Sequence, residues 1–154
     1  MKNQWQPRAA PGIEDGLVLF DGACVLCSRW AQFVISRDPT VRFRFLPIQT
    51  KAGRNLAEHL TIDPDHPQTN AVILNGIAYF KSDAAIALAS RLPRWRRTKT
   101  LRFAPRFLRD RIYDLVAQNR YRLFGRQEIC LTPTEGLKQH LVSQSTPIQT
   151  GSGV

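Results

Sequence analysis

Leu17-Val18-Leu19-Phe20-Asp21-Gly22-Ala23-Cys24-Val25-Leu26-Cys27 places an apolar run, a turn and a C-x-x-C pair within eleven residues. Leu17–Phe20 is short and continuously apolar, the pattern of a strand buried on both faces, and Asp21-Gly22 stops it. From Cys24 to about Ser36 the apolar residues Val25, Leu26, Trp30, Phe33 and Val34 recur at helical spacing, and Arg37-Asp38-Pro39 closes that helix. The pair therefore falls at the junction of a buried strand and the first turn of a helix.

Downstream, Val41-Arg42-Phe43-Arg44-Phe45-Leu46 alternates apolar with basic and reads as a strand ending at Pro47. Residues 52–60 form a short helix, followed by a loop rich in Pro and Asp at 63–69. Ala71–Leu74 and Ile77–Phe80 flank Asn75-Gly76, which predicts a hairpin with a type I′ turn because both turn residues need positive φ. Ser82 or Asp83 is then the expected cap of an Ala-rich helix over about 83–92.

The first crossover makes a parallel pair and the Asn-Gly turn an antiparallel one, so the sheet is mixed. The resulting expectation is an α/β, thioredoxin-like domain over residues 16–92, with a mixed four-stranded sheet flanked by helices. Residues 1–15 read as a flexible arm. After Pro93, residues 95–104 and 106–124 read as helices of a basic C-terminal extension spanning 93–142 and packed on the domain. In the second helix Leu108, Ile112, Leu115, Val116 and Leu123 share a face. Residues 143–154 read as a disordered tail.

The chain has 154 residues and a formal net charge of +10. Twelve Lys/Arg and two acids lie between Arg91 and Arg126, so that segment carries the whole excess and the rest is neutral. No apolar run is long enough to span a membrane. Met1–Gly16 is polar, is broken by Pro7 and Pro11, and lacks an apolar leader core, which points to the cytoplasm. Three cysteines cannot form a disulfide framework, and in a reducing compartment Cys24 and Cys27 are candidates for redox or metal chemistry.

Unpaired backbone N–H groups and the dipole at a helix N-terminus stabilise a thiolate. Cys24, at the helix end, is the expected nucleophile and the more exposed thiol. Cys27, one turn on, is the expected resolving thiol that releases a mixed disulfide. Asp21 either accepts N–H groups of the turn or relays a proton for the resolving thiol, and its charge opposes thiolate formation. Two other readings stand beside the redox one. The cysteines are simply small buried residues, or Cys24, Cys27, Cys130 and a histidine bind zinc, although His59, His66 and His140 show no ligand spacing. Cys130 reads first as a core residue and otherwise as a third redox thiol or metal ligand.

Leu19–Cys27 resembles the opening signature of the DCC-family thiol-disulfide oxidoreductases, named for an Asp, a Cys and a Cys. The hairpin followed by Lys81-Ser82-Asp83-Ala84 is similar to that family's middle block. Asp110–Ala117 with Asn119–Arg126 resembles its C-terminal helix and the turn after it. The likeness covers about residues 17–133. It implies a thioredoxin-like fold and disulfide exchange, with Asp21, Cys24 and Cys27 as matching positions. Thioredoxins set a cis-proline directly before the strand facing their cysteines; here Thr69-Asn70 hold that place and Pro67 comes early.

The mechanism so implied needs no cofactor beyond the dithiol, with zinc as the alternative. It needs a disulfide-containing protein or small molecule as substrate, and a separate reductant. The competing class is a non-catalytic module that binds nucleic acid or an anionic membrane through residues 94–126, where cations interleave with Trp95, Phe103 and Phe107. The favoured reading of that segment packs the aromatics on the domain and leaves the arginines as a solvated face. Arg120, Arg122 and Arg126 lie in the family-like block and are candidates for flanking the cysteines, where they would stabilise a thiolate or attract an acidic substrate.

Overall fold

A computed structural model describes residues 5–125. The four buried residues of Leu17–Phe20 form β2, an inner strand of a five-stranded sheet with neighbours on both sides. β3 (Arg44–Pro47) runs parallel to β2, with Leu17 opposite Arg44 and Phe20 opposite Pro47. On the other side β4 (Ala71–Leu74) pairs antiparallel with β2, and β5 (Ile77–Phe80) with β4. Asn75 and Gly76 both take positive φ, 53° and 72°, as the type I′ turn demands. This is the mixed, thioredoxin-like order expected from the sequence.

The fifth strand corrects the expected count of four. Arg8–Ala9 is β1, antiparallel to β5 at the sheet edge. Within the segment read as an arm, Ala10 and Ile13 are buried and Trp5 packs at a tilt against Phe80, with ring centroids 5.5 Å apart. A two-residue strand is too short to carry an alternation, so only its partners reveal it. Arg8 helps to hold it, donating to the Leu60 carbonyl and to Thr61 Oγ1.

Each face of the sheet has its own core. Leu17, Leu19, Leu46 and Ile73 face α2 (Lys51–His59), whose Leu56 and Ala57 are buried there. Val18, Phe20, Phe45 and Val72 face α1 (Val25–Ile35) and α3 (Lys81–Ala89), with Ala31, Val34, Ala84 and Leu88. The helix α2 sits against the end of β3 because Gly53 has no side chain: a Cβ there would lie 2.0 Å from the Pro47 carbonyl oxygen. Neither Ser82 nor Asp83 caps α3, which begins at Lys81 without a side-chain cap. Both side chains turn instead toward the C-terminal helix.

That helix, α4 (Arg106–Phe124), follows a 3₁₀ segment over Arg96–Phe103 and packs against α1 and α3. Its orientation inverts the expectation. Leu108, Ile112, Leu115, Val116 and Leu123 are exposed, and Arg106, Arg109, Asp110, Tyr113, Asp114, Ala117, Arg120 and Tyr121 form the inner stripe. The reason is the surface offered by the domain. Lys81 pairs with Asp114 at 2.6 Å, Ser82 donates to Asp110, and Asp83 accepts from Arg106 and Arg109. Nor do all the aromatics of the basic segment pack on the domain as favoured: Phe103 and Phe107 are 90% and 74% exposed, and among the described residues only Trp95 of the three meets a ring, Phe33.

Candidate functional site

Two loops leave the C-terminal ends of the parallel strands β2 and β3 side by side, the usual place for a site in such a sheet. The loop after β2 is tied by its own Asp21, whose Oδ1 accepts the Ala23 N–H at 3.0 Å. The loop after β3 supplies Gln49, which donates from Nε2 to the same Oδ1 at 2.7 Å and accepts the Gly22 N–H through Oε1 at 2.9 Å. This fixes the approach to α1. Cys24 is the N-cap of that helix, and its Sγ accepts the Cys27 backbone N–H at 3.4 Å.

The two thiols are free and differ sharply in their surroundings. The Cys24 thiol is pulled from 9.0 down to about 6, first because Cys27 donates its S–H to it. Burial opposes this; the Cys27 backbone N–H and the Arg120 charge assist, and Arg120 lowers it by more than Asp21 raises it. Cys27 is pushed up, because it is the donor to Cys24, because it is buried, and because a Cys24 thiolate repels a second negative charge. One proton is thus shared by the pair and sits on Cys27.

Exposure runs against the expectation that Cys24 is the more accessible thiol. Cys24 is 0% exposed and Cys27 8%. A groove of about 240 Å³ between α1, α3 and α4 reaches Cys27, with Leu26, Trp30, Val116 and Ala117 as apolar walls and Asn70 and Arg120 as polar ones. The residues in the cis-proline place thus belong to this site: Asn70 lines the groove and donates its N–H to the Tyr113 hydroxyl at 3.3 Å. Burial above all pushes the Tyr113 phenol up to about 12, so it stays neutral.

Arg120 closes the site from α4. Its Nη2 donates to Asp21 Oδ2 at 3.1 Å and to the Pro67 carbonyl at 2.6 Å, and Tyr121 donates its hydroxyl to the same Oδ2. Both members of the ion pair are buried, and Arg120 Nε has no partner among the described residues. Of the three arginines named from the sequence, only Arg120 is placed at the cysteine motif. Arg122 is exposed, and Arg126 lies outside the described residues.

Gln49, Tyr113 and Tyr121 escaped the sequence reading. The parallel register of β2 and β3 sets the loops after Phe20 and Pro47 side by side and so brings Gln49 to Asp21, a juxtaposition that local sequence does not carry. Among the described residues no three His, Cys, Asp or Glu side chains converge as metal ligands. Cys130 and His140, part of the alternative zinc set, lie outside those residues, as do residues 126–142 of the extension and the tail at 143–154. No helix among the described residues is long and apolar enough to cross a membrane.

Comparison with known proteins identifies relatives of the chain. The uncharacterised protein YuxK of Bacillus subtilis is 34% identical over 131 residues, 84% of this chain and 96% of the relative. A DCC family protein of Arabidopsis thaliana, chloroplastic by its name, is 36% identical over 116 residues, 74% of this chain and 67% of the relative. No solved structure matches the chain. The family model for DCC1-like thiol-disulfide oxidoreductases matches residues 18–126, which takes in the cysteine motif, the hairpin and all of α4, and the chain belongs to that family.

Proposed function

We propose that the protein exchanges disulfides through Cys24 and Cys27, with Cys24 as the attacking thiolate. The supporting observation is the N-cap position of Cys24, whose sulfur accepts from the Cys27 N–H and whose thiol is held at about 6, so that it is ionised at neutral pH. The Cys24 thiolate attacks one sulfur of a substrate disulfide, forms a mixed disulfide and expels the other half as a thiolate. Cys24 then no longer carries charge or accepts a hydrogen bond. The two largest electrostatic reasons for the raised Cys27 pKa vanish together. The expelled thiolate takes the Cys27 proton, and Cys27 attacks the Cys24 sulfur. The Cys24–Cys27 disulfide forms and the second substrate thiolate leaves. Two electrons pass from the dithiol to the substrate, a disulfide-bearing protein or small molecule, and an external reductant restores the dithiol.

Asp21 serves in this scheme as the anchor of the loop and of α4, since donors from Ala23, Gln49, Arg120 and Tyr121 already engage its oxygens. Arg120 is a positioning residue for Asp21 that also favours the thiolate. Full burial of Cys24 means that the seam between α1 and α4 opens for attack. A second reading follows from the groove: Cys27 meets the substrate first. Trapping separates the two. Cys27→Ser should accumulate a substrate adduct on Cys24, mapped by peptide mass spectrometry, whereas an adduct that forms only on Cys27 in Cys24→Ser would reverse the assignment. A reduction potential of the pair within roughly −120 to −270 mV marks an exchanging dithiol. A pair that no thiol buffer oxidises would end the proposal.

A further inference from the structure

We propose that the outer face of α4, with the 3₁₀ segment before it, docks the protein on an anionic lipid bilayer. Phe103, Phe107, Ile112, Leu115 and Leu123 are each more than half exposed there, at 90%, 74%, 58%, 64% and 67%. An apolar surface of this kind marks an interaction site on a soluble domain. The charge on the same surface has one sign. Asp110 and Asp114, the two acids of the basic segment, are turned inward to Ser82 and Lys81. Arg96, Arg97, Arg102 and Arg111 are exposed and have no acid partner among the described residues.

Charge decides between the possible occupants. A second copy would bring cation against cation. Residues 126–154 of the chain itself hold two acids and two Lys/Arg, too little negative charge to match this face. An RNA would satisfy the arginines and stack on Phe103 and Phe107, but it would leave the aliphatic side chains of Ile112, Leu115 and Leu123 in water. An anionic bilayer satisfies both features, taking the apolar side chains into the acyl boundary while its headgroups face the cations. At 19 residues α4 is about 28 Å long, and it lies along the surface because its other face is bound to the domain.

The test is co-sedimentation of the reduced full chain with vesicles of phosphatidylcholine alone, or with about 30% phosphatidylserine. Partition should be at least about tenfold stronger to the anionic vesicles and should collapse between about 50 and about 500 mM salt. Each cation near such a surface contributes roughly fivefold, so Arg96→Gln/Arg97→Gln should weaken partition about 25-fold. Phe103→Ser/Phe107→Ser should weaken it about tenfold, with the far-UV spectrum and disulfide exchange unchanged, since neither ring touches the core. Equal or absent binding to the two vesicle types would overturn the proposal. So would tighter binding to single-stranded RNA than to vesicles. A dimer in sedimentation velocity that Phe103→Ser/Phe107→Ser dissolves would overturn it too, as would hydrogen-exchange protection over residues 107–123 in the vesicle-free chain beyond that of a one-sided helix.

Discussion

Replacing Arg120 with methionine keeps the apolar stem and removes the guanidinium from a pair whose side chains are 7% and 1% exposed. Asp21 is then left buried with its charge uncompensated. Loss of one partner from a buried pair costs about 3–5 kcal/mol, far more than an exposed pair contributes. Three donors remain on the carboxylate, from Ala23, Gln49 and Tyr121, so the lower end, about 3 kcal/mol, is the expected cost. At roughly 3–5 °C per kcal/mol for a domain of this size, the melting point should fall by about 10 °C. The assay is urea unfolding of the reduced protein at neutral pH, run as a cycle with Asp21→Asn. The double variant should cost less than the sum of the singles by about 2 kcal/mol, because the pair is direct. Since Arg120 lowers the Cys24 thiol by more than Asp21 raises it, the Cys24 titration should also move upward from about 6 in Arg120→Met. A cost below about 1 kcal/mol with additive singles would show that the clasp between α4 and the cysteine loop does not hold the fold.

Other perturbations separate the remaining parts of the account. Folding stability of the reduced protein should rise as pH goes from about 6 to 9, because the folded state sheds the Cys24 proton first while the unfolded chain keeps it. Above 9 the trend should reverse, as the unfolded chain ionises both thiols and folding keeps Cys27 protonated; Cys24→Ser should flatten the rise in a denaturant series. Leu19→Ala, in the middle of β2 and fully buried, should cost about 2–5 kcal/mol, whereas Leu115→Ser should change chemical stability by less than about 0.5 kcal/mol. Gly53→Ala should destabilise by roughly 1–3 kcal/mol despite the better helix propensity of alanine, since its Cβ meets backbone rather than a flexible side chain.

The strand–turn–helix at Leu17–Cys27 and the Asn75-Gly76 hairpin were legible because their signals are local. An unbroken apolar run, a helical period and a turn needing positive φ each depend on neighbours in sequence. The inversion of α4 was not legible in the same way. Its apolar stripe is the stronger pattern, and burial of such a stripe is the ordinary rule. The rule gave way to an explicit polar match: Lys81-Ser82-Asp83 on α3 faces Asp114, Asp110 and Arg109 on α4, and Arg120 meets Asp21 from 99 residues away. The inner stripe keeps three- and four-residue spacing as regular as that of the apolar one, so the information was present in the sequence. Choosing between the two stripes required the partner surface. The exposure of the cysteines was illegible for the same reason, since α4 packs beside both.

In the proposed mechanism everything turns on Cys24 carrying the negative charge of the pair. Thiolate absorbance near 240 nm, followed against pH in the reduced protein with Cys130→Ser to remove the third thiol, measures it directly. One thiolate should appear with a midpoint of about 6, and no such step in Cys24→Ser. A first midpoint near 9, or a low step that survives in Cys24→Ser, would contradict it.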